Sequence, residues 1–304
     1  MLFLQVYEDS LLKASAQYGP LSKETESSLR QLDAMINYTL GRLAETHMDE
    51  HVNFIIMSDH GMSYGANPTK NHHPFPNFPF NENKVRTVSM EAAIRPVGRQ
   101  VRMVVGEGAY AMVFPVSPEA TNRVLRALDL ALKGVEIYTE DQIPPHLHWK
   151  DSKYCPPILV LAHPGTVIQR ASGQHQRPPT VMPKSYDEYE GKSRHSGISG
   201  YDPEEPEMRG VFMARGPGIY FVKLFVPLLY ILINFFSGFL SSDYPQPPIH
   251  LVDIYQMICF LLDIDPLPND GIWDRIRALL KNSSVSLNSS VVLTLFTLLF
   301  VTLQ

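Results

Sequence analysis

Apolar residues recur with two different periods along the chain and predict strands that alternate with helices. Residues 2–7 and 52–57 are short apolar runs that predict strands, the second of them buried. Residues 23–45 carry apolar positions close to a 3.6-residue period, which predicts an amphipathic helix that Ser22 can cap. A strand, a helix and a strand in this order form a βαβ unit, so we expect a parallel sheet.

The pattern continues downstream. It predicts two or three short strands within residues 86–114, a helix over 118–134, strands over 157–162 and 211–214, and a helix over 251–264. Residues 168–210 are polar and irregular. The sequence therefore predicts an α/β fold with a mostly parallel sheet flanked by helices.

Composition places most of this chain in one domain. The chain has 304 residues, of which 44% are hydrophobic, and residues 1–280 are enough for one large α/β domain with a sizeable core. The net charge of -5 and the absence of a basic stripe argue against binding to a nucleic-acid duplex. The two cysteines, Cys155 and Cys259, allow one disulfide at most.

An apolar stretch over residues 219–240 interrupts the predicted domain. Its length and hydropathy fit a membrane helix, but a membrane crossing here would separate the last predicted helix from the sheet on which it packs. The segment from about Ile219 to Gly238 also fits a translated intron, because both ends can be cut after the first base of a glycine codon. A buried hairpin insert is the third interpretation.

The C-terminal part, residues 281–304, consists of a Ser/Asn-rich linker and an apolar tail. The tail fits a GPI-attachment signal, whereas a buried helix or strand and a short transmembrane anchor are the alternatives. We expect a cell-surface protein attached to the membrane at this end and glycosylated at Asn37, Asn282 and Asn288. Because residues 2–7 resemble an internal strand rather than a signal peptide, we expect the domain to be truncated at its N-terminus.

The segment Ser58-Asp59-His60-Gly61-Met62 contains the best candidate metal ligands. It follows the predicted buried strand 52–57, and open α/β sheets bind ligands at the carboxyl ends of their strands. A carboxylate and a neutral imidazole are both good Zn²⁺ ligands. A turn that contains an Asp-His pair by chance is the simpler alternative.

Seven segments in order resemble the ectonucleotide pyrophosphatase/phosphodiesterase family, a branch of the alkaline phosphatase superfamily, and most closely its short, membrane-anchored members. They are Tyr18-Gly19-Pro20, Ser58–Met62, Pro144–Lys150, Gly200-Tyr201-Asp202-Pro203, Met208–Gly218, Val252-Asp253-Ile254-Tyr255 and Pro266–Gly271. The resemblance implies a two-zinc enzyme in which a Thr hydroxyl attacks the phosphorus of a nucleotide or other phosphodiester substrate. His146 and His148 match a substrate-side loop, and Asp202 is expected to fix a turn.

The resemblance also assigns metal ligands. Asp59 and His60 match the two ligands of the zinc beside the nucleophile, and His195 is the candidate ligand of the other zinc. The family has a His directly before Gly-Tyr-Asp, where this chain has Ser199, so that an inserted loop has to keep His195 in place.

Other family positions are not matched. Leu12 and Ala16 stand where the family has an Asp and a His, and Asp9 substitutes for that Asp only with three inserted residues. The first metal-binding Asp and the Thr nucleophile have no counterpart, so that no catalytic residue is assigned and the two-zinc site is expected to be incomplete. Two hypotheses remain: a fragment of a zinc-dependent phosphodiesterase that acts outside the cell, or a degenerate surface relative that acts by binding.

Overall fold

The computed structural model of the chain describes residues 2–65, 85–150, 152–169, 197–224, 249–281 and 293–299. The α-helices in these ranges are α1 (Ser10–Tyr18), α2 (Lys23–Glu45), α3 (Met90–Ile94), α4 (Thr121–Ala131), α5 (Asp253–Leu262) and α6 (Trp273–Arg277). The first strands are β1 (Leu2–Tyr7), β2 (Val52–Ser58), β3 (Ser63–Tyr64), β4 (Arg86–Ser89), β5 (Val101–Val105) and β6 (Tyr110–Pro115). They are followed by β7 (Val135–Thr139), β8 (Ile158–Ala162), β9 (Thr166–Gln169), β10 (Gly197–Ile198), β11 (Phe212–Gly216), β12 (Ile219–Leu224) and β13 (Leu293–Leu299).

The chain divides into two compact units. Unit 1 consists of residues 1–12, 27–61 and 209–304, and unit 2 consists of residues 13–26 and 62–208. The described part of each unit has its own hydrophobic core.

Unit 1 is built around a five-stranded sheet in the order β1-β13-β2-β11-β12. The strands β1, β13 and β2 are parallel, while β11 is antiparallel to both β2 and β12. The helix α2 therefore connects two parallel strands, as the sequence predicts, but β13 lies between them.

Both faces of β2 are covered by helices. On one face, Ile55 and Met57 belong to a cluster with residues of α5 and α6, among them Met257 and Ile276. On the other face, Phe54 and Ile56 pack in a cluster with Leu32 and Ile36 of α2. Successive side chains of a strand point to opposite faces, so that a continuous apolar run such as β2 is the sequence pattern of a strand buried on both sides.

Unit 2 contains a four-stranded antiparallel sheet in the order β5-β6-β8-β7. Its core includes Val113, Val124, Leu128, Ile158 and Val160, which are fully buried. A parallel pair, β4 with β9, and a short antiparallel pair, β3 with β10, complete the described strands of this unit.

The predicted elements are confirmed in their type and approximate position. The strand over 2–7 and the helix over 23–45 agree with β1 and α2, and Ser22 Oγ accepts a hydrogen bond from Thr25 N at 3.1 Å as the expected helix cap. The α/β fold class is also confirmed. Several features were not predicted, among them the helices α1, α3 and α6, the strand β7 and the antiparallel sheet of unit 2.

The two apolar stretches lie partly within the described residues. The strand β12 covers the first residues of the 219–240 stretch and forms a hairpin with β11, and β13 covers the middle of the C-terminal tail. No helix in the described ranges combines the length and the apolar character that a membrane crossing needs.

Cys155 and Cys259 are both free thiols, so that the disulfide that the sequence allows is not formed.

Candidate functional site

Asp59 and His60 lie directly after the buried strand β2, at its carboxyl end. The sequence predicts this position, and its physical basis is that β2 is held on both sides by neighbouring strands. A rigid strand end places the first residues of the following loop reproducibly, which a ligand-binding pair requires.

The imidazole of His60 is held in one tautomer. Its Nδ1 lies 2.7 Å from the carbonyl oxygen of Gly61, and because a carbonyl oxygen can only accept, Nδ1 carries the proton. The other nitrogen, Nε2, is buried and has no hydrogen-bond partner among the described residues. Metal-binding histidines are commonly oriented in this way, with one nitrogen donating to a carbonyl and the other directed to the ion.

Asp59 supplies a carboxylate next to this nitrogen. Its Oδ1 accepts a hydrogen bond from the backbone N–H of His60 at 2.9 Å and lies 3.7 Å from His60 Nε2. The side chains of Asp59 and His60 are 12% and 19% exposed. Since a zinc ion with ligand distances near 2.1 Å holds its ligands about 3.4 Å apart, this pair fits two of the ligands of one zinc.

The residue before Asp59 is held by the chain segment at the start of β11. Ser58 N donates to Val211 O at 3.0 Å, and Ser58 Oγ accepts from Val211 N at 2.8 Å. Gly210 lies so close that an added Cβ would come within 2.7 Å of Ser58 Oγ and 2.8 Å of Ser58 O. Sequence reasoning assigned no role to Ser58 or Gly210.

The other positions at which the family resemblance implies metal ligands do not add a described ligand to this pair. His195 lies outside the described residues, so that its assignment to the second zinc stays a prediction. Leu12 and Ala16 lie four residues apart on α1 and therefore on one face of that helix. Neither side chain can bind a metal, as the sequence indicates.

Asp202 and His146 approach each other within unit 2. Asp202 Oδ1 accepts from Glu204 N at 2.8 Å, which is the turn that the sequence predicts for Asp202. The other oxygen, Oδ2, lies 2.9 Å from His146 Nε2. Sequence reasoning missed this contact because the two residues are 56 positions apart.

Tyr201 fixes the position of Asp202. Tyr201 is 4% exposed, and its hydroxyl donates to the carbonyl oxygen of Thr166 at 3.0 Å. Burial raises the pKa of Tyr201 well above its ordinary value, and the charge of Glu207 adds to this, so that the phenol stays protonated and acts as a donor. Tyr201 is therefore a structural residue.

The predicted glycosylation sites fall in different parts of the chain. Asn37 is exposed on α2, and Asn282 and Asn288 lie outside the described residues.

Fold and residues together define a class of protein. The family model for type I phosphodiesterase / nucleotide pyrophosphatase matches residues 3–202, and the chain belongs to this family. This result agrees with the motifs, and it places Asp59, His60 and Asp202 inside the matched region.

Individual relatives have low sequence identity to this chain. Mouse ectonucleotide pyrophosphatase/phosphodiesterase family member 7 is 25% identical over 277 residues, which are 90% of this chain and 50% of the relative. Human bis(5'-adenosyl)-triphosphatase ENPP4 is 23% identical over 319 residues, which are 99% of this chain and 55% of the relative. The chain thus spans about half the length of the curated relatives it matches.

Solved structures confirm the fold. Human ectonucleotide pyrophosphatase/phosphodiesterase 5 matches with a TM-score of 0.63 and 18% identity, over 88% of this chain and 56% of that chain. An inactive form of the murine protein, in complex with AMP, matches with the same TM-score and 20% identity, again over 88% of this chain and 56% of that chain.

Proposed function

We propose that this chain is the metal-binding part of a nucleotide pyrophosphatase/phosphodiesterase, and that Asp59 and His60 bind zinc. The observation that carries the proposal is the buried, unpartnered Nε2 of His60 beside the Asp59 carboxylate. Leaving such an atom unpaired costs about 1–3 kcal/mol, and coordination to a metal removes that cost.

The substrate class follows from the family. One relative is named for hydrolysis of a bis-adenosyl triphosphate, and a structural relative is described in complex with AMP. We therefore propose nucleotide phosphodiester or pyrophosphate bonds as the substrates of the whole protein. Zinc, when bound, would supply a Lewis acid that polarises the phosphate, and the residues of this chain would position it.

A hydrolytic assay with a matched variant tests the proposal. The full-length protein, with the nucleophile-bearing segment that the family resemblance implies, is incubated with a chromogenic nucleotide 5′-phosphodiester, with added Zn²⁺ or with a chelator. We expect zinc-dependent turnover that falls by about 100-fold or more in His60→Gln. The control is His51→Gln, the same change at an exposed histidine before β2, which should leave turnover unchanged.

A second candidate function, binding without hydrolysis, is favoured by one observation. The helix α1 presents Leu12 and Ala16 where the family resemblance implies an Asp and a His. Zinc and AMP binding without turnover would support this candidate. Equal zinc affinity of the wild type and of His60→Gln would contradict both functions as stated.

We also propose that the protein acts at the cell surface, attached through its C-terminal part. The location outside the cell is supported by the sequon Asn37-Tyr38-Thr39, because Asn37 is exposed on α2, and the attachment is supported by the apolar C-terminal sequence. Glycosidase treatment of the protein from the cells that make it should increase its mobility, and Asn37→Gln should reduce that shift. A protein whose mobility does not change would count against this location.

A further inference from the structure

We propose that His146, Asp202 and Glu204 of unit 2 bind a divalent transition-metal ion, with Zn²⁺ preferred. One ligand atom from each of the three side chains lies within 4.8 Å of the other two. This site shares no residue with the Asp59-His60 pair and does not rest on the function proposed above.

The positions of these residues are set by the backbone around them. His146 lies in a single 3-10 turn, Pro145–Leu147, and the backbone is restricted by Pro144 directly before the turn and by Pro145 at its start. Asp202 is fixed by its buried neighbour Tyr201 and by the turn that Glu204 N closes on Asp202 Oδ1. These restraints leave Asp202 Oδ2 directed at His146 Nε2.

The distances require a small rearrangement. His146 Nε2 and Asp202 Oδ2 are 2.9 Å apart, which is a hydrogen-bond distance, whereas two ligands of one zinc ion lie about 3.4 Å apart. An opening of about 0.5 Å would admit the ion. The exposed side chain of Glu204 also has to move toward the ion. This movement is small, because the Glu204 carboxylate already lies within 4.8 Å of the other two ligand atoms.

A cavity of about 260 Å³ next to these residues carries a concentrated negative charge. Four acidic residues line it together with one histidine and two apolar residues: Glu136, Asp202, Glu204, Glu205, His163, Leu161 and Ala162. No lysine or arginine is present among the described lining residues. Carboxylates that crowd without a counterion disfavour one another's charged forms, and a divalent cation relieves this repulsion.

Glu207 follows these residues in the chain and has a raised pKa. Burial raises the pKa of Glu207, and the negative charge of Glu205 raises it further.

The donor set indicates which metal is bound. An imidazole nitrogen with two carboxylate oxygens suits Zn²⁺ and other first-row transition metals, whereas Ca²⁺ and Mg²⁺ prefer oxygen ligands alone. Three protein ligands leave one position for water or for a group of a bound molecule.

The test separates this site from the Asp59-His60 site by measuring zinc in the His60→Gln background. Zinc affinity is determined by competition with a chromophoric chelator, and Co²⁺ reports the coordination by its visible spectrum. We expect His146→Gln and Glu204→Gln each to weaken zinc binding by about tenfold or more in that background. Glu204 is exposed, so that its substitution should leave the fold intact, which circular dichroism verifies.

Matched controls come from the same cavity. Glu205→Gln removes an adjacent acidic group and His163→Gln removes a histidine, but neither is a proposed ligand, so that both should change the affinity by less than about threefold. Equal affinities in His146→Gln, Glu204→Gln and the two controls would overturn the proposal. Displacement of zinc by equimolar Ca²⁺ would overturn the assignment to transition metals. If the His60→Gln variant, without a second substitution, no longer binds zinc, then zinc binds only at the Asp59-His60 site. This result would also overturn the proposal.

Discussion

At the residue scale, the Asp59-His60 pair is positioned by a close approach of Gly210 to Ser58, the residue that precedes the pair. Ser58 forms two hydrogen bonds with the backbone of Val211, and this is sterically compatible only with a residue at position 210 that lacks a Cβ. Gly210 is therefore needed for its small size. The alignment of Ser58 is transmitted to Asp59 through a single peptide bond.

We expect Gly210→Ala to lower the free energy of unfolding by about 1–3 kcal/mol, because the new methyl group would overlap backbone and side-chain atoms of Ser58. It should also weaken zinc binding by Asp59 and His60. Urea denaturation measures the first effect and chelator competition the second.

The control for this substitution is Gly41→Ala. Gly41 lies within the helix α2, and apart from its chain neighbours and the backbone of its own helix no atom comes within 4 Å of an added Cβ there. Alanine should increase stability at this position by about 0.5–1 kcal/mol, since it favours the helix. Similar effects of the two substitutions would contradict the steric explanation.

At the scale of elements, a buried carboxylate connects the helices α5 and α6. Asp253 is fully buried at the start of α5 and accepts hydrogen bonds from His250 N, Ile272 N and the guanidinium of Arg275. Burial alone would raise the pKa of Asp253, but the hydrogen bonds from Arg275 and from the two backbone N–H groups outweigh it and lower the pKa. The charged form is thus stabilised in the folded chain.

This pKa shift predicts a pH dependence of stability. A carboxyl group with a lowered pKa in the folded state stabilises the fold above its unfolded pKa of about 3.9, and this contribution disappears as the pH falls through the lower folded value. Asp253→Asn should lower the free energy of unfolding at pH 7 by about 3 kcal/mol and flatten the fall of this free energy below about pH 4.

The neighbouring exposed aspartate provides the control. Asp274→Asn, in the first turn of α6, should change stability by less than about 0.5 kcal/mol. Urea denaturation at several pH values measures both variants. An unchanged acid sensitivity in Asp253→Asn would contradict the role given to this carboxylate.

At the scale of the whole molecule, β13 joins the C-terminal part of the chain to the sheet of unit 1. It pairs in parallel with β2 over seven residues and with β1 over six, so that β1 has no other strand neighbour among the described residues. Leu293–Leu299 of the apolar tail therefore form a strand, one of the alternatives that the sequence left open. Its use as an attachment signal stays a prediction.

Truncation distinguishes the two uses of the tail. A chain that ends at Lys281 lacks β13 and should unfold at lower urea concentration and aggregate more readily, because β1 and β2 lose their shared partner. A chain that ends at Leu299 keeps β13 and serves as the control. Equal stability of the two truncated chains would mean that the strand is dispensable, as expected for a segment that is removed when an anchor is attached.

Much of the molecule could be predicted from the sequence because its signals are local. The apolar run of β2, the 3.6-residue period of α2 and the Ser22 cap each depend on neighbours within a few positions, and each is confirmed. The fold class, the family and the position of Asp59 and His60 at the end of a buried strand follow from the same local patterns and from the order of the motifs.

Other features were decided by the tertiary structure alone, because they join residues that are far apart in the sequence. The apolar sequence of β13 contains no information about which strands it pairs with, yet β13 lies between β1 and β2. Likewise, no spacing rule connects His146 with Asp202 or Ser58 with Val211, which are 56 and 153 positions apart. Local periodicity determines which elements form, whereas burial and hydrogen bonding across the folded chain determine which of them meet.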